Sequence, residues 1–360
     1  MKTNNKKKKH AGLHDDENRL AAKNAGLHYL SDTEPGITRK AARKGFVYYD
    51  VNGKVLRDKN HLDRIAALVI PPAWTQVWIS PDPDSHLQCT GRDAKNRKQY
   101  RYHERWSQAR GMAKYHHMQE FGKALPSIRR RVAADLALPG LPREKVLATV
   151  VALLERTLIR VGNEEYARQN SSYGLTTLRD DHVTISRCTV EFNFSGKSGK
   201  EHSIRLDNCE LANIVKNCRA VPGELLFQYI DESGKESSIT STHVNNYLQR
   251  ITGRKFTAKD FRTWAGTLYC ADELRKLKAA TSATQVKRNV ATAIKFVSAR
   301  LGNTPAVCRK CYVHPAVIEA YSSGLSPHWR GQVCIGATPA LSSPERALLR
   351  FLKQQELAAA

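Results

Sequence analysis

Four residues of this chain have side chains suited to one kind of chemistry. In chain order they are Arg160, Lys197, Arg262 and Tyr312. An arginine presents a planar, permanently charged set of donors that matches phosphate oxygens. A lysine can deliver a proton, and a tyrosine can attack as an oxygen nucleophile. Together these types suit exchange at a phosphodiester, where negative charge builds on the non-bridging oxygens as the phosphorus becomes pentavalent. Singly, each is ordinary. A helix-end arginine caps carbonyls, a hairpin lysine is solvated, and one tyrosine of 13 packs in a core or on a surface.

The elements that must hold these residues are readable from periodicity. Pro142 opens a helix in which Leu147, Val150, Val151, Leu154, Leu158 and Val161 share one face, and Gly162 ends it, with Arg160 at that end. Residues 189–194 and 201–206 read as two strands around a turn at 195–200, with Lys197 at the tip. Thr257 and Asp260 form a capping-box pattern that starts a helix and puts Arg262 in its first turn. Val286, Val290, Ile294, Val297 and Leu301 mark a further helix, stopped by Gly302, with Asn303 and then Tyr312 beyond it.

Upstream, residues 46–51 are β-rich and run into the turn pair Asn52-Gly53. Residues 77–79 form another apolar strand, and residues 99–102 alternate aromatic with polar and basic side chains. Residues 112–121 and 128–136 read as two helices separated by Pro126, and residues 344–355 as a short helix. The expected fold class is α+β. Residues 1–28 form a basic flexible tail, 29–107 a small β-rich domain, 108–345 a larger, mainly helical domain with a β-hairpin, and 346–360 a C-terminal helix or tail.

Composition narrows the partner. Lys and Arg number 58 against 34 Asp and Glu, a net charge of +24. Nucleic acid is the default partner for such a surplus, because a basic face gains affinity by releasing counterions from phosphates. A membrane surface is the alternative, but no basic amphipathic helix with a strong apolar face lies near a terminus. With 41% hydrophobic residues the chain can bury a core. No apolar run approaches the roughly 18 residues of a membrane span. Met1 is followed by Lys2 with no apolar stretch behind it, so no signal peptide is expected. Eight cysteines are far below scaffold density, which points to reduced thiols in a cytosolic or nucleoid compartment.

Two motifs invite a different chemistry and fail. Gly196, Lys197 and Ser198 look like the end of a phosphate-binding loop, but position 191 is Glu where that loop needs Gly, and the context is a hairpin. Cys308 and Cys311 have metal-ligand spacing with His314 following, but no second such pair exists, so two small, partly buried thiols are the better reading. Neither HExxH, GxSxG nor GxGxxG occurs. No metal, ATP or other cofactor is expected.

Taken in order, the residues resemble those of the type IB DNA topoisomerases, specifically the small bacterial and poxvirus-like branch. IRVGNEEY at 159–166, followed by Asn170, Gly174, Thr177, Leu178 and His182, resembles that family's first arginine motif. FSGK at 194–197 resembles its lysine hairpin, KDFRT at 259–263 its second arginine motif, and LGNTP at 301–305 leading to RKCY at 309–312 its nucleophile segment. PPAW at 71–74 and QYRY at 99–102 resemble its N-terminal DNA-clamping domain. The resemblance covers residues 29–325 and implies the catalytic fold shared with tyrosine recombinases, the two domains forming a clamp around duplex DNA.

It further implies that Tyr312 forms a 3′-phosphotyrosyl link, that Arg160 and Arg262 stabilise the transition state, and that Lys197 is the proton donor. Poxvirus and eukaryotic members carry His where this chain has Asn303, so only transition-state hydrogen bonding carries over to that residue. DNA contacts are implied for Gln99, Tyr100, Arg101, Tyr102, Tyr166, Lys259, Arg309 and Lys310. The implied protein relaxes positive and negative supercoils without ATP or metal, acting as a monomer on DNA in the bacterial nucleoid. A tyrosine recombinase shares the Arg–Lys–Arg–Tyr order but usually has His-x-x-Arg at the second arginine, where this chain reads KDFR. A passive DNA-binding protein would explain the charge but not the survival of all four residues.

Overall fold

The computed structural model describes residue 16 and residues 18–359, apart from 232, 278, 279, 326 and 337. The lysine run at 6–9, the most basic part of the expected tail, lies outside the described residues. Of that tail, the described residues from 18 on are partly structured. Residues 18–24 are helical, and Ala22 and Leu27 are buried with Trp106. Apolar residues within the basic stretch pack against Trp106, which orders this part of it.

The chain divides into two compact units, residues 1–116 and 117–360. The first is built on a five-stranded antiparallel sheet of β1 (Ile37–Ala41), β2 (Phe46–Tyr49), β3 (Thr75–Ile79), β4 (Leu87–Arg92) and β5 (Lys98–Tyr102), in the order β2-β1-β3-β4-β5. Helix α1 (Lys59–Ala67) contributes Ile65 to a small core with Ile37, Val77, Ile79 and Cys89. Asn52-Gly53 does turn the chain, but only a single bridge, Tyr49 to Val55, follows it. β2 pairs instead with β1.

Helix α2 (Glu104–Leu136) runs unbroken through Pro126, where two helices were expected. Proline in a helix interior costs roughly 3 kcal/mol. Phe121, Leu125 and Ile128 flank it and are buried in the core of the second unit, and each such side chain contributes about 1.5–3 kcal/mol. Packing therefore outweighs the breaker. The division between the units falls inside this helix, not at residue 107.

The second unit continues with α3 (Arg143–Thr157) and α4 (Glu164–Asn170), then the antiparallel meander β6 (Val183–Ser186), β7 (Thr189–Gly196) and β8 (Lys200–Asp207). Helix α5 (Cys209–Arg219), the small pair β9 (Gln228–Ile230) and β10 (Glu236–Ser238), and α6 (Ser241–Thr252) follow. Helices α7 (Ala258–Lys276), α8 (Ala283–Leu301), α9 (Pro305–Cys311), α10 (Pro315–Ser322) and α11 (Ser343–Ala359) complete it. Its core joins faces of α2, α3, α7 and α8 to Phe192 and Phe194 of the meander. The α+β class is as expected.

One expectation about the thiols is overturned. Cys188, in the turn between β6 and β7, is disulfide-bonded to Cys209 at the start of α5. The meander brings these positions together, since Asn208 N donates to Cys188 O at 2.7 Å. Cys308 is a buried free thiol, and Cys311 is half-buried.

Candidate active site

Arg160 does not lie at the end of a helix. Helix α3 stops at Thr157, and Leu158 turns left-handed with φ +58°. The apolar periodicity runs on to Val161, but residues 159–161 are not helical, and the carbonyls of Arg160 and Val161 have other partners. Leu175 N donates to Arg160 O at 2.9 Å and Thr176 N to Val161 O at 2.7 Å. Gly174 permits this approach: a Cβ there would lie 2.6 Å from Arg160 O.

Arg262 is the fifth residue of α7, just past the first turn in which the sequence placed it. The expected capping box is present, with Thr257 N donating to Asp260 Oδ2 at 2.7 Å. Arg262 is only 4% exposed. It donates to Leu158 O and, through Nη2, to Leu301 O at 2.6 Å and Asn303 Oδ1 at 3.1 Å. Arg160 donates to the same Asn303 oxygen and to Gly302 O at 3.1 Å. Two guanidiniums thus share one amide oxygen. Burial holds both below the ordinary arginine range, and the neighbouring charge of Arg160 adds to this at Arg262. Both stay cationic, since arginine does not deprotonate in proteins. Nε of Arg262 is buried with no hydrogen-bond partner.

Tyr312 caps the short helix α9. The Arg262 guanidinium lies over its ring at 5.3 Å from the centroid. Helix α7 also holds its backbone: Thr267 Oγ1 donates to Tyr312 O at 3.2 Å. Lys197 is exposed at the tip of the β7–β8 hairpin, where Ser198 and Gly199 take positive φ. Its Nζ lies 5.7 Å from the centroid of the Tyr166 ring. Arg160, Tyr166, Lys197, Lys259, Arg262 and Tyr312 line one open cleft of about 250 Å³.

Asn303 is not among the lining residues but accepts from two that are, Arg160 and Arg262. Arg309 and Lys310 are exposed on α9 and are not among the lining residues. Gln99, Tyr100, Arg101 and Tyr102 belong to the other unit. There Gln99 Nε2 donates to Asp93 Oδ2 at 2.9 Å and Arg101 Nη2 to Val69 O at 3.1 Å. Tyr100 and Tyr102 stack at 5.9 Å, each 46% exposed.

An anionic tetrahedral or pentavalent group fits such a cleft, with cations on its walls and a phenol at its edge. The comparisons agree. Residues 103–328 match the family model of the eukaryotic DNA topoisomerase I catalytic core, and residues 45–93 that of the bacterial DNA topoisomerase IB N-terminal domain. DNA topoisomerase 1B of Acanthamoeba polyphaga mimivirus is 36% identical over 296 residues, covering 80% of this chain and 88% of that protein. The chain belongs to the type IB DNA topoisomerases. DNA topoisomerase 1B of Vaccinia virus (strain Copenhagen) is similar to the enzyme at 21% identity over 283 residues, 74% of this chain and 87% of that one. A solved XerH site-specific recombinase bound to palindromic difH substrate aligns at a TM-score of 0.35 and 15% identity, over 56% of this chain and 51% of that one, which is too loose to argue from. The enzyme acts on DNA, cutting one strand transiently and resealing it to relax supercoils.

Sequence reasoning missed two parts of the site. Gly266 and Thr267, one turn beyond Arg262, seat the Tyr312 backbone. A glycine inside an apolar helix was the available signal. His202 packs behind the arginine pair, and nothing in its sequence neighbourhood marks it.

Proposed function

We propose that Tyr312 is the enzyme's nucleophile, that Arg160, Arg262 and Asn303 stabilise the transition state, and that Lys197 is the general acid. Tyr312 Oη attacks phosphorus, its phenolic proton passes to solvent, and the P–O5′ bond breaks as the 3′-phosphotyrosyl ester forms. The ammonium of Lys197 gives its proton to O5′. One phosphodiester replaces another, so resealing runs the same steps backwards and needs no ATP. The arginines supply the positive charge that a metal ion would otherwise bring. Between the two steps the free strand end turns about the intact strand.

The convergence of both guanidiniums on Asn303 beside the Tyr312 ring carries this reading. In the same reading Tyr166, Lys259, Arg309 and Lys310, and Gln99 to Tyr102 of the other unit, contact duplex DNA. The surplus of 24 positive charges supports it, as does the half-exposed stacked tyrosine pair. The enzyme acts as a monomer, in the bacterial nucleoid. The match to a bacterial N-terminal domain supports the nucleoid assignment.

The test is relaxation of a supercoiled plasmid with a chelator and without ATP, paired with trapping of the denatured covalent complex on labelled DNA. Wild type should relax the plasmid and give the covalent band. Tyr312→Phe should do neither while still binding DNA. A covalent band from that variant would assign the attack to another residue.

A further inference from the structure

We infer that His202 is a positioning residue that docks the Lys197 hairpin onto the helix cap presenting Asn303. The inference rests on the reading of Lys197 as the general acid. His202 lies on β8, directly across from Phe194 on β7, and its ring stacks on that side chain at 5.0 Å and 14°. Two glycines make room for the imidazole. A Cβ on Gly196, the residue before Lys197, would lie 2.6 Å from His202 Cδ2. A Cβ on Gly302, the residue before Asn303, would collide with His202 Cε1. The ring therefore fills the gap between the base of the hairpin tip and the end of α8.

That gap decides where Lys197 sits. The tip itself is exposed, and Tyr173 N donating to Ser195 O at 2.9 Å also ties the hairpin to the site wall. The cap, by contrast, is fixed. Gly302 takes φ +61°, Asn303 N donates to Ser298 O at 3.0 Å, and the Gly302 carbonyl accepts from Arg160. Leaning the hairpin on this cap sets the lysine relative to the arginine pair. The imidazole faces Arg160 and Arg262 across the gap, and Lys200 and Glu201 on its own strand, and shares a lining with Arg300. Burial and the surrounding cations hold it below the ordinary histidine range, which keeps it a neutral wedge.

A structural histidine alone would leave proton delivery untouched, so the test reads the leaving group. Single-turnover cleavage is measured for wild type, Lys197→Ala, His202→Ala and His202→Gln on a duplex with the ordinary scissile phosphate. It is repeated on one with sulfur at the bridging 5′ position, a leaving group that hardly needs a proton. His202→Ala should lose about 10–10²-fold on the ordinary phosphate, the scale of a displaced catalytic group, and recover on sulfur as Lys197→Ala does. His202→Gln fills more of the gap and takes the place of the Ala variant if that one does not fold. It should lose less and recover equally. An ordinary-phosphate rate equal to wild type overturns the inference. So does a loss that sulfur leaves in place while Lys197→Ala is recovered. Failure of sulfur to recover Lys197→Ala removes the acid assignment itself, and the inference with it.

Discussion

Arg262 and Asn303 are joined by a hydrogen bond of 3.1 Å from Nη2 to the amide oxygen, the same oxygen that accepts from Arg160. The arginines therefore use the acceptor half of Asn303, and its amino group is the half left to donate to a phosphate oxygen. Asn303→Ala should slow cleavage by about 10²–10³-fold, the usual cost of one lost transition-state donor. Asn303→Asp keeps the acceptor, loses the donor and sets a negative charge beside the phosphate, so it should be slower still. Single-turnover cleavage of a duplex oligonucleotide decides. An Asp variant faster than the Ala variant would mean that bridging the arginines is the larger role.

Gly266 and Tyr312 touch through backbone. A Cβ at position 266 would lie 2.7 Å from Tyr312 O and 3.2 Å from Tyr312 Cβ, with Leu301 Cδ1 also at 3.2 Å. Gly266→Ala should cost about 1–3 kcal/mol of stability by overpacking. It should also slow covalent complex formation by at least tenfold, since a shift of about 1 Å at a reacting group can cost 10². Non-covalent DNA affinity should hold. Unchanged cleavage in a destabilised variant would show that the phenol is placed independently of this contact.

The parts of the site legible in sequence are those written in local pattern. The 3.6-residue spacing from Val286 to Leu301 and the glycine after it delimit α8 as found. Thr257 with Asp260 marks the start of the helix that carries Arg262. What local pattern cannot carry is what another segment does to a stretch of chain. Apolar spacing continues past Thr157, yet α3 ends there because Arg262 takes the carbonyl of Leu158, and Leu175 and Thr176 take those of Arg160 and Val161. Pro126 reads as a break until Phe121, Leu125 and Ile128 are seen in the core. Cys188 and Cys209 read as two thiols until the meander brings them together. The His202 ring meets Gly302, far along the chain, only once the fold has formed.

The C-terminal helix carries no legible motif, but it closes a buried charge cluster. Arg129 of α2 donates to Glu155 Oε1 of α3 at 2.8 Å and to Glu345 Oε1 of α11 at 2.6 Å, and all three side chains are buried. Glu345 also caps its own helix, accepting from Ser342 N at 2.8 Å. Trp264, two residues from Arg262, donates to it at 3.4 Å. Removing Glu345 leaves Arg129 paired with Glu155 but takes away the guanidinium's two buried hydrogen bonds to Glu345, and a hydrogen bond to a charged group is worth about 1.5–3 kcal/mol. Glu345→Ala should therefore destabilise the second unit by at least that amount, read as a lower melting temperature. A loss under about 1 kcal/mol, the surface-pair range, would show that water reaches the cluster.

His117 and Asp260 give the second unit a pH dependence. His117 Nε2 lies 3.3 Å from Asp260 Oδ2, the oxygen that also accepts from Thr257 N at the start of α7. The hydrogen bond to Asp260 holds the imidazole above its ordinary range, against burial and the nearby Arg254. A histidine whose folded pKa exceeds its unfolded value of about 6.5 contributes stability that is complete below that value. The contribution is lost as pH rises through the folded pKa. His117→Gln removes the titration. The melting temperature of wild type should exceed that of the variant most at about pH 5.5, and the difference should shrink toward about pH 8.5. The side chain is 38% exposed, so solvent screening keeps the effect small. A difference that widens as pH rises would mean that folding favours the neutral ring, and the pairing with Asp260 would then not be what sets its charge.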